Sequence, residues 1–217
     1  MLEELLSIQS AKSSIDGKPS KVTVIKLGGS LLDLDDVVDR LFSVAGNLET
    51  PVIVVGGGSA ADRVRQWARR GLVDESAAHR LAIAAMSLNA RRVVRSDTRL
   101  AIVASRVEAT EVAAGGRLPL LDPELVLAAE QARRPELPAI PESWDVTSDS
   151  IAAWLARAWY AELLLLKSCS PGSKPDAHLD LWFRQASHGL TRLTWVNLRA
   201  SVPEVCCLSL PLAATGN

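Results

Sequence analysis

The chain has 217 residues, 48% of them apolar and 23% charged, with a formal net charge of −1. That is material for one sizeable core, and the balanced charge supplies neither the basic face of a nucleic-acid binder nor a footprint for an anionic membrane surface. Aromatic residues make up only 4% while alanine and leucine dominate, which excludes the all-β class and suits helices packed on a sheet.

Residues 1–20 are polar and mixed, predicting a flexible lead-in with one short helix over residues 1–8, ahead of a single domain from 21 to 217. Val22-Thr23-Val24-Ile25-Lys26-Leu27 is a β-branched run broken only at Thr23 and Lys26, the pattern of a strand buried on both faces, and it stops at Gly28-Gly29. A helix is expected over about 35–48, where Val37, Val38, Leu41, Phe42, Val44 and Ala45 fall at helical spacing. Pro51 opens a second apolar run, Val52-Ile53-Val54-Val55, which ends at Gly56-Gly57-Gly58. Ser59 is a suitable N-cap for a helix to Arg70, and Gly71 sits where a left-handed C-terminal residue belongs. A long helical pattern covers about 75–90, and 100–104 reads as a third strand.

Five prolines from Pro119 to Pro141 enclose a helix over about 123–133 capped by Asp122, and the rest of that stretch reads as connection and edge structure. Thr147 or Ser148 caps a helix from Ser150 to about Ala161, and Leu163-Leu164-Leu165-Leu166-Lys167 is another buried strand. A loop rich in Ser, Gly and Pro over 168–175, a helix around 176–187 and two strands over 193–197 and 205–210 complete the chain. These elements predict an α/β fold, a three-layer α-β-α sandwich on a mainly parallel open sheet.

No apolar stretch approaches the roughly 20 residues of a membrane helix. The acidic beginning does not read as a secretory signal. Cys169, Cys206 and Cys207 are odd in number and lack metal-ligand spacing, so a disulfide framework is not expected and a reducing, cytoplasmic compartment is. The basic run Arg91, Arg92, Arg95 and Arg99 reads as a solvated helix end. Neither nucleic acid nor membrane is expected as a partner.

Open parallel sheets bind ligands beyond the carboxyl ends of their strands, and two of these strands end in glycine. Around Gly28-Gly29-Ser30 backbone amides can approach a phosphate, with Lys26 supplying positive charge. A lysine in an apolar strand is costly unless paired, which favours an anion or a carboxylate partner; the competing reading is a side chain that snorkels to solvent. Gly56-Gly57-Gly58-Ser59 forms a second anion-receptive turn. Neither turn is G-x-G-x-x-G or G-x-x-x-x-G-K-[ST], which weakens the Rossmann and P-loop readings. Asp149 falls in the first turn of a helix, where the dipole favours a carboxylate and from which it can reach the strand-end lysines. Lys167 is the second lysine to end an apolar strand. His79, His178 and His188 are scattered, and His79 reads either as a buried structural histidine or as part of an acceptor site.

Ile25-Lys26-Leu27-Gly28-Gly29-Ser30, Val54-Val55-Gly56-Gly57-Gly58 and Thr147-Ser148-Asp149-Ser150-Ile151-Ala152 ahead of a Leu-rich strand, in that order, resemble the amino acid kinase superfamily, which includes aspartate, acetylglutamate, uridylate and isopentenyl phosphate kinases. The resemblance runs from about residue 21 to 200. With Ala78-His79-Arg80-Leu81-Ala82, Met86 and the segment 144–152, it is most like the small kinases of methanopterin biosynthesis, which phosphorylate an aminomethylfuran-methyl phosphate. The resemblance implies ATP with Mg2+, a small anionic acceptor carrying a phosphate or carboxylate, and a homo-oligomer. By it, Lys26 would touch the transferring phosphoryl group, Gly28, Gly29 and Ser30 the nucleotide phosphates, and Gly56, Gly57, Gly58 and His79 the acceptor. Asp149 would orient the lysines, and Lys167 would open the nucleotide loop. No residue is expected to ligate a metal. One departure stands out: Ser168-Cys169-Ser170-Pro171-Gly172-Ser173 replaces the acidic Asp-Gly-Val-like sequence of many relatives. Lys174 is either a late phosphate-binding lysine or a solvated loop residue. A non-catalytic nucleotide- or oxyanion-binding protein of the same fold is the alternative.

Overall fold

The computed structural model describes residues 22–172 and 175–208. One sheet contains β1 (Val22–Leu27), β2 (Thr50–Val55), β3 (Leu100–Val103), β4 (Leu118–Leu121), β5 (Glu162–Lys167), β6 (Leu193–Asn197) and β7 (Glu204–Cys207), in the order β3-β4-β2-β1-β5-β6-β7. Every pairing is parallel except β6 with β7. The expected α/β class and mainly parallel sheet are therefore observed. β1 and β2 are buried at all six positions, as a β-branched run between two helical layers must be.

The helices are α1 (Val37–Ala45), α2 (Gly58–Arg69), α3 (Glu75–Ser96), α4 (Arg106–Ala114), α5 (Pro123–Arg133), α6 (Ser148–Ala158) and the single turn α7 (Phe183–Ala186). On one face of the sheet Ile25, Leu27, Ile53, Val55, Leu164 and Leu166 meet Val37, Leu41 and Val44 of α1. On the other, Val22, Val24, Val52, Val54, Leu163 and Leu165 meet α6, with Ala109 of α4, Val126 of α5 and Phe183 of α7 in the same cluster. Trp154, Trp159 and Trp195 are fully buried on that second face, each removing roughly 150–250 Å² from water.

Several local expectations are corrected. α2 is capped by Gly57, and Ser59 lies inside its first turn. Its other end closes as foreseen: Gly71, at φ +68°, donates to Ala68 O (2.9 Å), and Leu72 donates to Trp67 O (3.0 Å), a complete Schellman motif. α3 extends to Ser96 because nothing in its arginine-rich end breaks the helix. α4 stands where no element is expected, β4 falls in the stretch that reads as connection and edge structure, and the expected helix around 176–187 is a 3-10 turn (Pro175–His178) followed by α7. Asp122 precedes α5, but its carboxylate is taken by Arg91 at 2.7 Å rather than by a helix amide. α6 begins at Ser148, with Thr147 accepting from the Asp149 amide. The helix expected over 1–8 and the end of the strand expected over 205–210 lie outside the described residues. Among the described residues no helix is long and apolar enough to cross a membrane.

Candidate functional site

Strand pairing assembles the charged centre. Lys26 shares the α6-facing side of β1 with Val22 and Val24, and Lys167 shares that side of β5 with Leu163 and Leu165, because side chains alternate along a strand. In register, Lys26 lies opposite Leu165, so Lys167 stands one pleat further toward the carboxyl edge on the neighbouring strand. Helices cover both faces of the sheet, and the build-up of strands changes direction between β1 and β5, the place where such sheets bind ligands.

Asp149, in the first turn of α6, fits between the two lysines. Its Oδ1 is 2.8 Å from Lys26 Nζ and its Oδ2 is 2.5 Å from Lys167 Nζ, with side-chain exposures of 6% for Lys26 and Asp149 and 13% for Lys167. Lys167 also donates to the His178 carbonyl at 3.0 Å and lies 5.1 Å from the Trp195 ring centroid. Burial works to raise the Asp149 carboxyl, and the two ammoniums overcome it, holding the group below the usual carboxylate range. Burial, aided by Lys26, pushes the Lys167 amine down against the pull of Asp149. Two lysines against one carboxylate leave an unbalanced positive charge at the edge of the sheet, a centre suited to a polyanion.

The two glycine turns pack directly on one another. A Cβ on Gly29 would lie 2.3 Å from the Gly58 amide nitrogen, and one on Gly56 would lie 2.8 Å from the Gly29 nitrogen. Gly58 adopts φ +50° to open α2. Buried Asn89 of α3 holds the second turn, its Nδ2 donating to Gly56 O (2.9 Å) and Gly57 O (2.8 Å).

Beside these turns is a pocket of about 220 Å³, lined by Gly29, Ser30, Gly57 and Gly58 of the turns, by Thr147 and Ser148 at the start of α6, and by Met86, His79, Arg65 and Trp144. Arg65 stacks on Trp144 at 4.8 Å and pairs with Asp62 at 2.8 Å. The His79 Nδ1 is 3.3 Å from the Ser143 carbonyl, and burial holds the imidazole below the usual histidine range although that carbonyl and Glu142 favour the charged form.

Among the residues singled out from sequence, Lys26, Asp149 and Lys167 come together, and Gly29, Ser30, Gly57, Gly58 and His79 share the adjacent pocket. Two glycines depart from the expectation. The Gly28 N–H bonds Leu166 O at 2.9 Å and the Gly56 N–H bonds Leu27 O at 2.8 Å, so both amides serve the sheet and neither is available to a ligand. Lys174 lies outside the described residues. Ser30 Oγ donates to Ser168 Oγ at 3.0 Å, joining the first glycine turn to the loop after β5. Sequence reasoning missed Asn89 and Asp180. The Asp180 Oδ2 accepts from Thr147 N (3.0 Å), Thr147 Oγ1 (2.6 Å) and Ser150 N (3.2 Å), and its Oδ1 accepts from Ser150 Oγ.

The family model described as the amino acid kinase family matches residues 21–172. Among solved structures 39 chains match. One is the uridylate kinase of Archaeoglobus fulgidus, 23% identical with a TM-score of 0.48, matched over 68% of this chain and 63% of that one. The chain thus spans less than two thirds of the length of that protein. No curated protein matches the chain.

Proposed function

The chain belongs to the amino acid kinase family, and from that premise we propose that it is an ATP-dependent kinase that transfers a γ-phosphoryl group to a small acceptor bearing a phosphate or carboxylate. The observation that carries this reading is the buried Asp149 carboxylate shared by Lys26 and Lys167 on adjacent strands, beside two glycine turns. Phosphoryl transfer asks for positioning and charge neutralisation more than for covalent participation by the protein. In this reading the acceptor oxygen bonds to the γ-phosphorus as the bond from that phosphorus to the β–γ bridging oxygen breaks, leaving ADP. Lys26 and Lys167 neutralise charge on the phosphoryl oxygens, and Asp149 keeps the two ammoniums apart and aimed. A phosphate or carboxylate acceptor is ionised at neutral pH, so no general base is needed.

The residues present do not fit a magnesium ion held by the protein. Asp149 is engaged by two ammoniums, and among the described residues no group of three or more His, Cys, Asp or Glu side chains gathers. Magnesium therefore belongs with the nucleotide phosphates in this proposal, and no step is assigned to it.

The pocket beside Gly29 and Gly57 is the acceptor side of the proposal. At about 220 Å³ it lies below the range of drug-sized sites, which supports a compact acceptor. Met86 and Trp144 in its lining support an acceptor with a flat apolar part, and Arg65, stacked on Trp144, supports an anionic group on it. An aminomethylfuran-methyl phosphate, the acceptor suggested by the resemblance to the methanopterin-pathway kinases, is the first compound to try.

The test is ATP-to-ADP conversion by purified protein across a panel of phosphate and carboxylate acceptors, with Lys26→Ala as comparison. The wild-type chain should turn over at least one acceptor, and Lys26→Ala should stay folded while losing about 10²–10³-fold in rate, the scale of one lost charge-stabilising donor. Silence with every acceptor and no stabilisation by ATP would overturn the proposal. Stabilisation by ATP without turnover would favour the non-catalytic binder, the outcome that the altered Ser168-Cys169-Ser170 loop favours.

A further inference from the structure

Asp149 is aimed by the first turn of α6, and the local cap of that turn is weak: the hydrogen bond from the Asp149 amide to Thr147 Oγ1 is 3.3 Å long. The stronger contacts come from far along the chain. Half-buried Asp180 takes the backbone and side-chain donors of Thr147 and of fully buried Ser150, the residues on either side of the Ser148-Asp149 pair. Two residues earlier in the same segment, the His178 carbonyl accepts from Lys167, and two residues later the Trp182 amide donates to Asp145 O at 3.0 Å.

We propose that Asp180 is a positioning residue: its carboxylate caps α6 from downstream and fixes Asp149 between Lys26 and Lys167, so that the segment after β5 sets the geometry of the charged centre. Two physical consequences follow. An anion already occupies the N-terminus of α6, where the exposed amides and the helix dipole favour negative charge. Thr147 and Ser148 at that helix start line the same pocket as Gly57 and Gly58 at the start of α2, so a fixed carboxylate already holds the amides of Thr147 and Ser150 at one of these helix starts. Moreover, two of the three charges of the centre hang on one segment, Lys167 through the His178 carbonyl and Asp149 through Asp180, so movement of the segment disturbs both at once.

The functional consequence rests on the kinase reading given above, whereas the geometric one does not. The experiment is a double-mutant cycle of Asp180→Asn and Asp149→Asn, read in kcat and, separately, in the Kd of inorganic tripolyphosphate, with Leu181→Ser as control because that neighbouring side chain is 84% exposed. Asp180→Asn should lower kcat about 10²-fold, the scale of a small misplacement of catalytic groups, and weaken tripolyphosphate binding, while Leu181→Ser changes neither. In the Asp149→Asn background the further loss from Asp180→Asn should shrink to within about twofold, since the residue acts through Asp149. A merely structural role predicts the same factor in both backgrounds, and that result, or a wild-type rate in Asp180→Asn, overturns the proposal. Asp149→Asn combined with Lys167→Met, which sheds one buried charge, serves as the second background if Asp149→Asn alone does not fold. If the wild-type chain turns over no acceptor, the kinase reading fails, and the tripolyphosphate cycle alone decides for or against Asp180.

Discussion

Replacing Asp149 with asparagine keeps the shape of the side chain and removes the charge between two buried lysines. At 2.8 and 2.5 Å, with an effective dielectric constant of about 20, each ion pair is worth about 6 kcal/mol of Coulomb attraction, and the desolvation of three charged groups offsets most of it. What the substitution exposes is the other side of that balance, two ammoniums in a site no more than 13% exposed with no counter-charge. Removing one partner of a buried pair typically destabilises by about 3–5 kcal/mol, which for a domain of this size lowers Tm by roughly 6–20 °C. The loss should depend on pH in a defined direction. The Lys167 amine is already pushed down by burial and by Lys26, and without Asp149 it falls further. The unfolded chain then binds more protons than the folded one, and stability of the variant rises with pH from the lowered folded value of the amine up to the ordinary lysine value of 10.5. Inorganic phosphate or tripolyphosphate should restore more stability to the variant than to the wild-type chain, by supplying the missing negative charge. Urea unfolding at several pH values, with and without the polyanion, measures all three effects. A variant as stable as wild type at pH 7, or one that anions do not rescue, would refute the shared-counterion account of this centre.

Gly29→Ala places a methyl group 2.3 Å from the Gly58 backbone nitrogen, where no flexible side chain can yield, so it should cost about 3 kcal/mol or more in urea unfolding and abolish the stabilisation given by tripolyphosphate. The buried His79 imidazole has a folded pKa below its ordinary 6.5, so the wild-type chain gives up stability as pH falls below that value. His79→Gln should flatten this dependence, and urea midpoints at pH 5, 6 and 7.5 that run parallel for the two proteins would contradict it.

Much of the sheet was legible because a strand buried on both faces must be apolar at nearly every position, which is what 22–27 (apart from Thr23 and Lys26), 52–55 and 163–166 are. β4 was not, since Leu118-Pro119-Leu120-Leu121 is four residues long and carries a proline that usually argues against a strand. α4 shows hardly any apolar periodicity and buries only Ala109, so no spacing marked it. In the charged centre, Lys26 and Lys167 could be noticed as anomalies within apolar runs, and Asp149 through its place in a helix start. Asn89 and Asp180 gave no such sign. Asn89 bonds backbone carbonyls more than thirty residues away, and Asp180 bonds a turn some thirty residues before it, contacts that only the tertiary fold creates. Gly28 and Gly56 taught the converse: a glycine at a strand end was legible, but whether its amide faced a ligand or the next strand depended on the pairing.

The register of β1 also governs how the chain comes off the ribosome. Val22 and Thr23 pair with Thr50 and Pro51 on one side within moments of synthesis, but on the other their strand waits for Glu162 and the residues after it. At about 5–20 residues per second that wait lasts on the order of ten seconds, during which a Val- and Ile-rich edge stands open to other nascent chains. The charged centre shares the delay, because Lys26 is made early and stays without its partner until Asp149 has been translated.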